Sequence, residues 1–230
     1  MDADAAQPRP HPEYVRLAFW VASVGMLAAV NYAARFSRGS KTTALQGVYS
    51  FSTFANGTTF YALSLGIVLL ICIHRFDLLA LRRPRSWRRA VWFAAGVAVA
   101  TLLWEAVVSW LPLPESPGRE QGLSNVHWEP KHAAAFAANF FLFAVIAPFV
   151  EELTFRGAGQ SLLGFLGRWP SIVLVGLAFG LAHGLVEALL VLVPFGMALA
   201  WLRDRTNSVA PGMFVHALFN GAALIAIVWR

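Results

Sequence analysis

Charge is scarce in this chain. Asp, Glu, Lys and Arg make up 13% of its 230 residues, against about 25% in ordinary soluble domains. With 58% hydrophobic residues and a mean hydropathy of +0.60, that scarcity excludes the soluble globular class and points to a membrane protein. Cysteine is scarcer still: Cys72 stands alone in an apolar run, so no intrachain disulfide can form. There is no internal repeat and no low-complexity tract, which argues against the common carrier folds with their repeated halves. No His-Glu-x-x-His, Gly-x-Ser-x-Gly, phosphate-loop or dinucleotide-binding pattern occurs. The net charge is +6, but the positive residues lie in short segments between apolar runs rather than in a patch interleaved with aromatics. Nucleic acid is therefore not an expected partner.

What is present is a series of apolar runs. About 20 apolar residues cross a bilayer as a helix. By that measure there are seven spans, at 15–34, 58–73, 90–111, 133–150, 172–189, 190–202 and 209–229. The expected fold is an all-α polytopic transmembrane helical bundle, a single membrane domain over 1–230. The sixth span is short, and Pro194 and Gly196 predict a kink, a re-entrant turn or a tilted half-span there. The first span reads as an uncleaved anchor, because Asp2, Asp4 and Glu13 precede it where a secretory signal would be purely basic.

Lys and Arg in the short connections set the orientation. An N-terminus inside puts twelve of the 18 on the inner side and six on the outer, so the N-terminus is expected in the cytoplasm. The run Arg82–Arg89 reads as a topology anchor and headgroup-binding strip. The connector 112–131, with four prolines, reads as a solvated outer loop. With no organellar targeting pattern, a prokaryotic plasma membrane is the expected location.

Against this apolar background a few polar residues stand out. A charged side chain at the bilayer centre costs about 2.5–3.5 kcal/mol on insertion scales, so such residues are site candidates by default. Glu151 and Glu152 follow the fourth span directly, with Arg156 close behind. Glu152 and Arg156 are spaced i, i+4 with the acid first, the order that lets them pair on a helix. Glu151 is about 100° further round the helix, so it faces elsewhere, into the bundle. His183 lies four residues after Phe179, between Gly180 and Gly184. His216 and Asn220 form another i, i+4 pair in the last span. Alone, each histidine or amide reads as packing glue between helices. Together, three helices bring an acid, two imidazoles and an amide toward one interior, which is enough for acid–base chemistry.

Glu151-Glu152-x-x-Phe155-Arg156-Gly157, Phe179-x-x-x-His183 and His216-x-x-x-Asn220 resemble the CPBP family, the CAAX protease and bacteriocin-processing (Abi-type) intramembrane proteases. The segment Arg203–Ser208 before the last span is also similar to that family's connector. The resemblance covers roughly 143–223, inside a motif-bearing core of about 133–229. It implies a membrane-embedded endopeptidase acting on a membrane-associated protein or peptide, with its site opening toward the cytoplasmic side of the bilayer. By the same resemblance Glu151 would activate water, His183 would position it, and His216 and Asn220 would stabilise the oxyanion. Glu152 with Arg156 would hold the motif helix.

Other readings of these residues stay open at this point. One carboxylate and two histidines match a catalytic zinc set, Glu151, His183 and His216. Asn220 argues for a metal-free site, because a neutral amide is a poor zinc ligand and a good oxyanion donor. No cofactor is therefore expected, with zinc as the alternative. The same side chains could also form a proton relay in a carrier, or packing contacts in a non-catalytic immunity or partner protein.

Overall fold

A computed structural model describes residues 13–37, 47–113 and 127–229. Among these residues there is no strand. The described residues form seven principal helices, α1 (Tyr14–Ser37), α2 (Phe51–Ile71), α3 (Trp87–Val108), α4 (Pro130–Leu162), α5 (Arg168–Ala182), α6 (Leu189–Thr206) and α7 (Ala210–Val228). Five of them, α1, α2, α3, α4 and α7, are long and apolar enough to cross a membrane. Large apolar side chains such as Phe19, Met26, Leu63, Trp92, Leu102 and Leu218 point outward, as lipid-facing residues do. The chain is thus an all-α membrane bundle.

The helix boundaries depart from the sequence reading in three places. Helix α2 starts at Phe51, not 58, because the Ser50 hydroxyl caps it by accepting from the Ser52 N–H at 3.2 Å. The fourth span does not end at 150. Helix α4 runs 33 residues, to Leu162, so Glu151 sits well inside it and not at the span's end. The fifth span stops at Ala182. His183 caps α5, and Gly184 then takes φ +66°, a left-handed turn open to glycine. The connector 112–131 falls largely outside the described residues, at 114–126.

Helix α4 is not uniform. It widens to i→i+5 turns over Leu142–Ile146 and again over Leu153–Gly159. In the first of these the Ala147 N–H reaches the Leu142 carbonyl. The next donor in that register is residue 148, a proline without an N–H. The orphaned Phe143 carbonyl accepts instead from Asn220 Nδ2 at 3.0 Å, which ties α7 to α4. A similar repair keeps α6 continuous through Pro194. The Leu190 carbonyl, which proline cannot serve, accepts from Trp104 Nε1 of α3 at 2.6 Å.

Helices α5 and α6 pack backbone against backbone. A Cβ on Gly196 would lie 3.0 Å from Gly176 Cα, closer than side-chain packing allows. That approach places the Gly196 carbonyl within reach of α4. At one end of the bundle the 72–86 connection is sewn to the α6–α7 junction and to α4. Val209 N–H donates to Ala80 O, Arg85 N–H to Thr206 O, and Ser161 Oγ to Leu78 O. Arg75 and Arg16 reach Glu13 at this same end.

Candidate active site

Glu152 is the centre of the polar core. Its Oε1 accepts from Arg156 Nη1 at 2.8 Å and lies 3.1 Å from His216 Nδ1. Glu152 and Arg156 are both 0% exposed, and His216 is 2% exposed. Arg156 also donates through Nη2 to the Gly196 carbonyl at 3.2 Å, and its guanidinium stacks 4.2 Å over the Phe179 ring. One arginine therefore joins α4, α5 and α6, and Glu152 adds α7. The close fit depends on Gly212: a Cβ there would stand 2.8 Å from Glu152 Oε2.

Phe179 is the apolar counterpart of this hub. Its ring packs edge-on against Phe155, His183 and His216, with centroids 5.3, 4.7 and 5.7 Å away. The i, i+4 spacing on α5 brings its own ring over His183, while its backbone carbonyl lies 2.7 Å from His183 Nδ1. A carbonyl only accepts, so that contact places a proton on Nδ1; in the neutral ring Nε2 is then the acceptor.

Glu151 points away from the pair, as its position around the helix predicts. Its Oε1 accepts from the Tyr61 hydroxyl of α2 at 2.9 Å, and its Oε2 lies 3.7 Å from His216 Nε2. Its side chain is 17% exposed, unlike that of Glu152. The exposed portion faces a cavity of about 460 Å³ between α1, α2, α4 and α5, lined also by His183, Tyr61, Asn31 and Thr154. The rest of its wall is mostly apolar. Met26 and Val30 of α1, with Phe60 and Ile67 of α2, line it and also face outward. On this side the cavity is thus bounded by apolar residues of the first two helices that also face outward.

The sequence-predicted residues divide into groups. Glu151 and His183 share the cavity. His216 approaches Glu151 from behind, and Glu152 and Arg156 form the buried support. Asn220, one turn beyond His216 on α7, holds the Phe143 carbonyl. Glu151, His183 and His216 do not converge as a metal-ligand set: among the described residues no three His, Cys, Asp or Glu side chains are placed to hold an ion.

Two residues of the site escaped sequence reasoning. Tyr61 is a hydroxyl in an apolar helix without a polar partner in its own segment. Asn31 of α1 donates to the Ala182 carbonyl at 2.7 Å, next to His183. Both lie outside the motif-bearing core, and no spacing rule links them to it.

No curated protein and no solved structure matches the chain. Residues 133–222, which contain all three motifs, match the family model described as type II CAAX prenyl endopeptidase Rce1-like, a match consistent with a CPBP family protease.

Proposed function

We propose that this protein is an intramembrane endopeptidase, of glutamate type and without a metal, that cuts a membrane-associated protein or peptide. The observation that carries the reading is the cavity wall. A carboxylate and an imidazole, Glu151 and His183, line one mostly apolar chamber bounded by outward-facing residues of α1 and α2. In this reading water binds between Glu151 and His183 Nε2. Glu151 takes its proton as the oxygen adds to the scissile carbonyl, and later delivers that proton to the departing amine. Tyr61 holds Oε1, so the other carboxylate oxygen is oriented.

His216 supplies the electrophile. Set between Glu152 and Glu151, it can donate from both nitrogens only as an imidazolium, and Glu152 compensates that charge. Its Nε2–H would then face the developing oxyanion, with the second N–H of Asn220 one turn away as a further donor.

The matched model's description names CAAX prenyl endopeptidases, which makes a prenylated C-terminal peptide the first substrate class to try. We place the arginine-rich end, and so the N-terminus, in the cytoplasm of a prokaryotic plasma membrane. The test uses purified full-length protein with membrane-anchored peptides, prenylated and not, in ¹⁸O-water before and after chelation. The proposal expects cleavage, one ¹⁸O in the new carboxylate and no loss on chelation. Loss on chelation with recovery on added zinc would replace the metal-free mechanism with a zinc one. No cleavage of any membrane-anchored peptide would remove the peptidase reading.

A further inference from the structure

Away from the cavity, the arginine-rich end of the bundle holds more positive charge than its own acids balance. Arg203, in the last turn of α6, is largely enclosed. Its Nη2 donates to Ser161 Oγ at 2.6 Å, while its Nε is buried without a partner. Arg82 projects from the 72–86 connection, where its Nε donates to the Asn207 carbonyl at 3.0 Å. The two guanidiniums stand close enough to repel each other. Arg168, at the start of α5, completes the group. Its Nε pairs with Asp204 Oδ2 at 2.9 Å, and its Nη2 is buried and unpartnered.

Three guanidiniums thus meet at this corner, with Asp204 beside Arg168 and Arg203 and Asp77, already bound to Arg75, near Arg82. Arg203 and Arg82 have only neutral oxygens as hydrogen-bond partners. Asp204 is thus shared between Arg168 and the largely enclosed Arg203; an enclosed cation with so little counter-charge is unfavourable, and orphaned guanidinium N–H groups carry a further cost. Both are relieved by one anion with several acceptor oxygens. Guanidinium forks match phosphate oxygens in geometry as well as charge, and basic pockets at the ends of membrane helices sit at headgroup depth.

We propose that Arg203, Arg82 and Arg168 form a phosphate-binding site, filled in the membrane by the phosphodiester of an anionic lipid. Ser161, at its floor, lies ten residues beyond Glu151 on α4. At about 1.5 Å per residue that is roughly 15 Å along the helix, so the site is separate from the cavity. It differs from a diffuse positive surface because it relies on two inward arginines and not on the exposed run Arg83–Arg89.

The test uses full-length protein, delipidated in a neutral maltoside detergent, with thermal unfolding read by tryptophan fluorescence. Phosphatidylglycerol, phosphatidylcholine and inorganic phosphate are titrated in parallel. Phosphatidylglycerol should raise Tm saturably, and phosphatidylcholine should not. R203Q and R82Q should each weaken the apparent affinity by about tenfold or more, as loss of a charge-assisted hydrogen bond implies, while R88Q should titrate like wild type. Arg82 is exposed, so R82Q keeps the test decisive if R203Q does not fold. Saturable stabilisation by inorganic phosphate, lost in R82Q, would support the phosphate site and assign it a soluble occupant. Equal effects of the two lipids, or wild-type titration by R82Q and R203Q, would overturn the proposal.

Discussion

Replacing Arg156 by Gln should destabilise this protein more than any change on the cavity wall. The substitution leaves Glu152 fully buried with its charge, and removes both the 2.8 Å ion pair and the 3.2 Å bond to Gly196 O. It also empties the face of Phe179, where the guanidinium stacks at 4.2 Å. Breaking a buried pair by removing one partner costs about 3–5 kcal/mol. For a chain of this size each kcal/mol lowers Tm by roughly 2–4 °C, so a fall of about 6–20 °C is expected. Glu152→Gln should cost a similar amount, because it strands Arg156. The double variant should lose less than the sum of the two, since either change alone already breaks the one ion pair they share. The assay is thermal unfolding of detergent-purified full-length protein, with Glu151→Gln as the control that should melt within a few degrees of wild type. If Arg156→Gln melts with wild type, or if the two losses simply add, Glu152 and Arg156 are not the clamp described here.

Three further outcomes are expected. Gly212→Ala should lower stability by about 1–3 kcal/mol, as overpacking does, because its methyl would stand 2.8 Å from Glu152 Oε2. Gly66→Ala in α2, with nothing within 4 Å of the new methyl, should be neutral or stabilising by up to about 1 kcal/mol; equal losses at both sites in the same melting assay would contradict the packing argument. Tyr61→Phe should fold normally yet cut peptide about tenfold more slowly, the effect of losing one hydrogen bond to a charged group, and an unchanged kcat/KM would show that Glu151 needs no orienting phenol. A reporter fused after Arg85 should report the cytoplasm and one fused near position 118 the outside, while the opposite pattern would invert the proposed orientation.

Much of this architecture could be read before any coordinates, and the reasons are local. The Glu152–Arg156 pair follows from i, i+4 spacing and from the cost of an unpaired charge in an apolar run. The different direction of Glu151 follows from its 100° offset. The length of α4 could not be read, because hydropathy counts Glu152 and Arg156 as two polar interruptions. In the folded chain they neutralise each other, so the helix continues through them to Leu162. The contact of Asn220 was equally hidden. It depends on the widened turn ahead of Pro148, which leaves the Phe143 carbonyl to be satisfied from another helix. Tyr61 and Asn31 show the limit of motif reasoning. They reach the cavity by tertiary packing of α1 and α2, whose sequences carry no spacing that points to it.

The central claim is that the Glu151 carboxylate activates water in the cavity. Its most direct test is the single-turnover rate of peptide cleavage by wild type and Glu151→Gln, both shown to melt alike. The amide keeps the size of the side chain and can still accept from Tyr61, but it cannot take a proton from water. General-base catalysis contributes about 10²–10⁴-fold in rate, so the account predicts a loss of that size with the fold intact. Cleavage by Glu151→Gln within a few-fold of the wild-type rate would contradict it.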